Sequence, residues 1–370
     1  MFRYTLRRLI QAIPTFFGIT ILSYLLMASA GNPVDSLAFG PKVTPAQKQR
    51  LAAILGVNDP LPLQYLRWLA GDDWLRWDAD GDGNADHSFI LPLEANGKPL
   101  PPGTRRGILR GDFGTSFTAT RPAINVIMER VPATLELGLS ALFFSLIIGV
   151  PIGILAAVRR GGTFDNFTRV MAVIFNAVPI FWLGLILILI FGVWLPNAFN
   201  ANGWKADKKP LLPMGSQCDS RILTGGCPPI YLRLEYLLLP TFVLATGGIA
   251  GYSRYMRASM LDVIGQDYIR TAKAKGLSSR VVWFKHGARN AMIPLATFLG
   301  PAVTGLLGGA AITETIFSWP GLGRLGVTSV LTFDYPVVMT VVIISSIATI
   351  LGFVLSDILY ALIDPRIRFS

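Results

Sequence analysis

Asp78, Asp80, Asp82, Gly83 and Asp86 read D-x-D-x-D-G-x-x-D, with Asn84 at the seventh position. Carboxylates on alternate residues converge when the chain turns sharply at the glycine, and position seven offers its carbonyl, as in a calcium-binding loop. Such loops carry a bidentate glutamate at position twelve; Phe89 stands there, and Glu94 would have to fold back to replace it. Four aspartates within nine residues repel one another unless a cation sits among them. The alternative is that Asp and Gly simply make solvated turns. Structural calcium held by Asp78, Asp80, Asp82, Asn84 and Asp86 is the expectation.

Other spacings are less productive. Cys218 and Cys227 share one loop. If that loop is outside the cell they are expected to form a disulfide, two free thiols being the alternative. Zinc finds no ligand set, because His87 and His286 are the only histidines and fall on different loops. Gly321-Leu322-Gly323-Arg324-Leu325-Gly326 matches G-x-G-x-x-G in form, but Trp319-Pro320 precedes it rather than a strand, so it reads as a glycine-rich turn. No G-x-x-x-x-G-K-[ST] and no hydrolytic constellation occur, so the chain is not expected to be an enzyme. Any energy it uses must come from a partner.

The elements that hold these residues are built for lipid. Of 370 residues, 52% are hydrophobic and 15% charged, against about 25% charged in a soluble domain. Mean hydropathy is +0.51. A helix needs roughly 20 apolar residues to cross the hydrocarbon. Six stretches approach or exceed that length: 9–30, 135–158, 170–195, 237–252, 292–312 and 337–363. Pro14, Pro151, Pro179 and Pro301 lie in or beside them, which membrane helices tolerate when neighbours satisfy the freed backbone groups. The reading is an all-α integral membrane protein with six transmembrane helices. The first stretch also resembles a cleavable signal peptide ending in Ala28-Ser29-Ala30, but it exceeds the roughly 7–15 residues of a signal core.

The net charge of +11 follows topology. Arg3, Arg7 and Arg8 precede the first span; Arg159, Arg160 and Arg169 lie between the second and third. Arg254, Arg257, Arg270, Lys273, Lys275, Arg280, Lys285 and Arg289 lie between the fourth and fifth, and Arg366 and Arg368 follow the sixth. With alternating spans all fall on one side, which the positive-inside rule makes cytoplasmic, together with both termini. The basic excess therefore serves orientation and anionic lipid, not nucleic acid.

Three regions follow: a first helix over 1–30, an extracytoplasmic region over 31–133, and a five-helix core over 134–370. The second region should hold a helix over 45–55 capped by Thr44 and a β-containing lobe at about 72–106. Gly149/Gly153, Gly247/Gly251 and Gly305/Gly309 are four apart, a spacing that lets helix backbones approach closely in lipid.

The loop over 254–289 is the most informative. Asp267 can cap a short helix over 268–275, and Gly276 can end it in a left-handed turn. Arg270, Lys273 and Lys275 give a basic rim around small Ala272 and Ala274. That composition suits a helix seated in a protein groove and equally a helix lying on anionic lipid.

The run Asp267-Tyr268-Ile269-Arg270-Thr271-Ala272-Lys273-Ala274-Lys275-Gly276-Leu277, continuing to His286 and Arg289-Asn290-Ala291, resembles the cytoplasmic coupling loop of dipeptide/oligopeptide permeases of ATP-binding-cassette importers. Arg270-Thr271-Ala272 stands where the wider superfamily has Glu-Ala-Ala, so the glutamate is absent. Similar to the same family are residues 3–14, Gly111-Asp112-Phe113-Gly114-Thr115-Ser116, Pro132-Ala133-Thr134-Leu135-Glu136, Pro320-Gly321-Leu322-Gly323, Asp334-Tyr335-Pro336-Val337 and the ending from Asp357 to Arg366. Residues 72–106 look like an insertion.

The resemblance implies a prokaryotic inner-membrane complex with a second homologous permease subunit, two cytoplasmic ATPases and an extracytoplasmic binding protein. Arg270, Thr271, Ala272, Lys273, Ala274 and Gly276 would couple ATPase movement to the membrane bundle. The loops near 317–325 would guide the ligand in. The rival is an ion-coupled secondary transporter, which usually places carboxylates deep in its spans. Here Glu136, Glu314 and Asp357 lie toward span ends.

Overall fold

The computed structural model describes residues 2–31, 33–34, 44–82, 87–88, 103, 105–201, 209–219, 227–295, 298, 302, 305 and 310–363. In chain order the principal helices are α1 (Phe2–Ala30), α2 (Pro45–Leu55), α3 (Leu61–Ala70), α4 (Val131–Val158), α5 (Thr163–Ala177), α6 (Ile180–Leu189), α7 (Leu234–Ile264), α8 (Asp267–Ala274), α9 (Leu322–Leu331) and α10 (Tyr335–Ile363). Strands β1 (Arg76–Trp77) and β2 (His87–Ser88) pair antiparallel, Arg76 opposite Ser88. Two compact units are present: Ile10–Glu129 with Gly326–Ser346, and Arg130–Leu325 with Met1–Leu9 and Ile347–Ser370.

Among the described residues five helical segments are long and apolar enough to span a membrane: Ile10–Ser29, Ala123–Val158, Ile180–Ala201, Leu234–Ile264 and Tyr335–Ser356. The expected stretch 292–312 lies largely outside the described residues. The expected third span, 170–195, is corrected. The helix that carries Val170 ends at Ala177, and the apolar segment starts again at Ile180. Pro179 is the cause: it withholds an N–H and disfavours helix at Val178, whose ψ is 123°. The fourth span is longer than its apolar core, because α7 continues through the basic residues to Ile264.

In the first unit, Thr44 and Gln47 form a reciprocal cap on α2: the Gln47 amide donates to Thr44 Oγ1 at 3.3 Å, and the Thr44 amide donates to Gln47 Oε1 at 2.9 Å. Tyr24 and Met27 of α1 pack with Trp68 of α3 and with Tyr335, Val338 and Met339 of α10. The two ends of the 72–106 stretch close on each other. The Asp72 amide donates to the Arg105 carbonyl at 2.9 Å, and the Arg105 amide donates to Asp72 Oδ1 at 2.8 Å.

In the second unit the central event is the packing of α4 on α7. A Cβ on Gly153 would lie 2.5 Å from the Ser253 carbonyl and 2.7 Å from Met256 Cβ. Ser145 Oγ donates to the Ala245 carbonyl at 3.2 Å, and Ser140 and Thr241 hydroxyls meet at 2.7 Å. Ile154, Ala157, Met256 and Met260 fill the seam beneath. Of the expected glycine pairs, Gly309 lies outside the described residues. Gly149 and Gly153 do admit a neighbouring backbone, but their counterpart is Gly248, whose Cβ would meet Ser145 Oγ at 2.3 Å. Gly247, Gly251 and Gly305 have nothing within 4 Å.

Adding a side chain at Gly153 forces two helices apart, a cost of at least about 1–3 kcal/mol. Gly153→Leu should therefore lower the melting temperature of the purified chain in detergent markedly. Gly247→Leu should change it by less than about 1 kcal/mol equivalent, a contrast readable by thermal unfolding.

Candidate functional site

The loop after α7 is built on its own small core. Ile269, Ala272 and Val282 are buried together, with Val263 and Trp283 against them, and the Lys273 ammonium sits 4.5 Å from the Trp283 ring centroid. Asp267 is the first helical residue rather than the cap; Gln266 precedes it without a side-chain cap bond. Gly276 does adopt a left-handed conformation, φ 72°, where the chain leaves α8.

Ala272 faces inward. The outward face carries Tyr268, Arg270, Thr271, Lys273, Ala274 and Lys275, so the exposed small residue is Ala274. Helical geometry explains it: Ile269 and Ala272 are three apart and share the face that closes on Val282.

Ten residues before α8, the end of α7 is anchored to α5. Arg257 Nε and Nη2 donate to Asp165 Oδ1 and Oδ2 at 2.6 and 2.8 Å, and the Gly161 amide donates to Oδ2 at 2.9 Å. The Arg257 guanidinium holds the Asp165 carboxyl down to about 2.

At the other end of α4 and α7, Glu314 is fully buried. Its Oε1 accepts from Thr134 Oγ1 at 3.2 Å and its Oε2 from the Arg324 amide at 2.8 Å. Thr134 Oγ1 also accepts from the Leu322 amide at 2.6 Å, and Trp319 Nε1 donates to the Ala133 carbonyl at 2.8 Å. Gly321 makes this possible, since a Cβ there would sit 2.3 Å from the Glu314 carboxyl carbon. The glycine-rich turn is thus a cradle folded over a carboxylate. A cavity of about 270 Å³ opens beside it, lined by Thr134, Ser145, Gly248, Tyr252 and Glu314 among apolar residues. Nearby, Arg233 Nη2 and Gln217 Nε2 donate to Glu136 Oε2 at 2.8 and 2.6 Å. This holds the loop in which Cys218 and Cys227 are joined by a disulfide, Cα atoms 5.7 Å apart.

In the other unit, Asp334 is fully buried and gathers the segment 116–118. It accepts from Ser116 Oγ at 2.6 Å, Thr118 Oγ1 at 2.7 Å and the Phe117 and Thr118 amides at 3.1 and 3.2 Å. Asp78, Asp80 and Asp82 bring carboxylate oxygens within 4.8 Å of one another. Gly83, Asn84, Asp86, Phe89 and Glu94 lie outside the described residues. The carboxylate roles of Glu314 and Asp334 were not read from the sequence; the available signals were the glycines after Pro320 and the polar run Thr115–Thr118.

The profile described as "Binding-protein-dependent transport system inner membrane component" matches residues 149–369, and the corresponding N-terminal profile matches residues 1–76. The chain belongs to this family of transport permeases. It is 37% identical over 376 aligned residues to the oligopeptide transport system permease protein AppB of Bacillus subtilis, covering 100% of both chains. It is 36% identical over 376 residues to the dipeptide transport system permease protein DppB of Escherichia coli, covering 100% of this chain and 99% of that one. A solved structure of the MetNI methionine ABC transporter in an inward-facing conformation matches with TM-score 0.42 and 17% identity, over 65% of this chain and 97% of that one.

Asp165 supplies a pH prediction. A carboxylate held below its unfolded pKa contributes stability that is complete above about pH 4 and is lost as pH falls toward 2. Melting temperatures of the purified chain should fall across that window, and Asp165→Asn should be less stable at neutral pH with a flatter acid limb. At the cradle, Gly321→Ala should lower the melting temperature by pressing a methyl group against Glu314.

Proposed function

We propose that this chain is the permease subunit of an ATP-binding-cassette importer for peptides and that it forms half of the translocation path. The observation that carries the reading is full-length identity above one third to permeases named for oligopeptides and dipeptides. Against the ion-coupled rival, among the described residues Glu136 and Glu235 lie near the starts of their helices and Asp262 near the end of α7, and the buried Glu314 is held by Thr134 and the Arg324 amide. Six spans with both termini cytoplasmic is the topology adopted, and the described residues 293–295, 298, 302 and 305 of the remaining stretch are helical.

The partners follow from the family resemblance: a second homologous permease, two ATPase subunits that bind and hydrolyse ATP, and a binding protein that delivers cargo. α8 is the element that meets an ATPase. Its outward face, with Arg270, Thr271, Lys273 and Ala274, makes the contact, while Ile269 and Ala272 lock the helix to the rest of the loop. Movement of an ATPase then shifts α8, and through the rigid end of α7 it biases the bundle between two open states.

Reconstituted complexes test the contact. Ala274→Arg should cut the ATPase stimulation by peptide-loaded binding protein severalfold with no change in melting temperature. Ala272→Arg should lower both, because it breaks the loop core. Full stimulation in both variants removes α8 from coupling.

Calcium in the 72–106 lobe is supported by Asp78, Asp80 and Asp82, whose carboxylate oxygens lie within 4.8 Å of one another. Their loop is pre-shaped, with the Gly81 amide donating to Asp78 Oδ1 at 2.6 Å and the Asp82 amide to Asp80 Oδ1 at 3.2 Å. Hard cations take such all-oxygen sets. Metal analysis should find calcium with the purified complex. A chelator should lower its melting temperature, and an Asp80→Ala/Asp82→Ala variant should be insensitive to the chelator; equal shifts in both proteins rule calcium out.

A further inference from the structure

The unit formed by Ile10–Glu129 and Gly326–Ser346 holds a partly open cavity of about 740 Å³. That falls within the roughly 300–1,000 Å³ of small-molecule sites. Tyr24, Trp68, Phe113 and Met339 supply apolar wall, and Gln64, Arg67, Arg105 and Asp112 supply polar groups.

Arg67 is the informative residue. Its side chain is 2% exposed, yet it lines the cavity. Its Nη1 and Nη2 are spoken for by Asp59 and Asp72, the second at 2.9 Å, while Nε has no hydrogen-bond partner. A buried N–H without an acceptor costs about 1–3 kcal/mol, and a carbonyl or carboxylate oxygen would relieve it if the Arg67 side chain turned its Nε toward the cavity.

Charge selects among ligands. Arg67, Arg76 and Arg105 are interleaved with Asp59, Asp72 and Asp112, three cations against three anions. Burial pushes the Arg105 and Arg76 guanidinium pKa values down, so these cations are already poorly hydrated. A balanced set does not attract a net anion such as a lipid phosphate. It favours a molecule that presents donors, acceptors and apolar groups together, and a short peptide does so with its carbonyls, termini and side chains.

We propose that this cavity is a second binding site, in which Arg67 and the groups around it hold a short peptide by its carbonyl or carboxylate oxygens against the Tyr24–Trp68 wall. The cargo class rests on the importer reading. The site adds that the permease itself holds peptide in the unit of Ile10–Glu129 and Gly326–Ser346, against wall residues from α1 and α10.

The test uses the full reconstituted complex in nanodiscs and a mixture of two- to five-residue peptides carrying diazirine-labelled leucine. After irradiation, mass spectrometry locates the adducts. Label is expected on Met27, Trp68, Phe113 or Met339. Ala28→Trp, which fills the cavity from α1, should reduce that label at least tenfold. Leu61→Trp, from the start of α3, should do the same, both with melting temperatures within a few degrees of wild type. If either variant fails to assemble, the other decides.

Peptide import measured in parallel separates the two claims. Import without cavity label, cavity label unchanged by both variants, or a lipid found resident in the cavity by native mass spectrometry overturns the site and leaves the importer reading standing. A complex that imports no peptide overturns both.

Discussion

The closeness of α4 and α7 governs the transmembrane unit. Lipid offers no hydrophobic drive for helices to associate, so they must gain by packing and by interhelical hydrogen bonds. Gly149, Gly153 and Gly248 remove side chains where the backbones would collide. Ser140, Ser145 and Thr241 place hydroxyls where they reach across. With that seam set, the far end of α7 arrives beside Asp165, and the near ends of both helices frame Glu314 and its cavity. The loop that carries α8 inherits its position from the same helix.

Buried carboxylates are the second organising device. Asp72, Asp165, Glu314 and Asp334 each gather several donors from segments far apart in the chain. An ionised carboxylate cannot be buried without such donors, so each enforces one arrangement of the loops that supply them. Removing one partner of such a group typically costs about 3–5 kcal/mol when the charge stays buried. This gives the short motifs a physical meaning. Ser116, which closes the run Asp112–Ser116, is held by Asp334, two residues before Pro336, and the glycines after Pro320 exist to let a loop close over Glu314.

Much of this was legible in one sequence. Apolar run length announced the spanning helices because a helix in hydrocarbon must be long and apolar along its whole length. Thr44 announced α2, and Gly276 announced the end of α8, because caps and left-handed turns are local constraints. The order of short motifs along the chain pointed to the permease family, which the full-length relatives bear out. The break at Pro179 was not legible there, because a run of hydropathy does not register a change in helix direction.

What the sequence determined by itself was the membrane class, the approximate places of four of the five helices long enough to span, the family and the location of the loop beside α8. These depend on composition and on contacts a few residues apart. The tertiary structure alone decided that Gly248 rather than Gly247 meets α4, that Ala272 turns inward and Ala274 outward, and that Glu314 and Asp334 are buried hubs rather than surface acids. Each of these depends on which face of one helix meets another, and residues one position apart point about 100° away from each other around a helix. Spacing along the chain names the candidates for a contact; only packing chooses between neighbours.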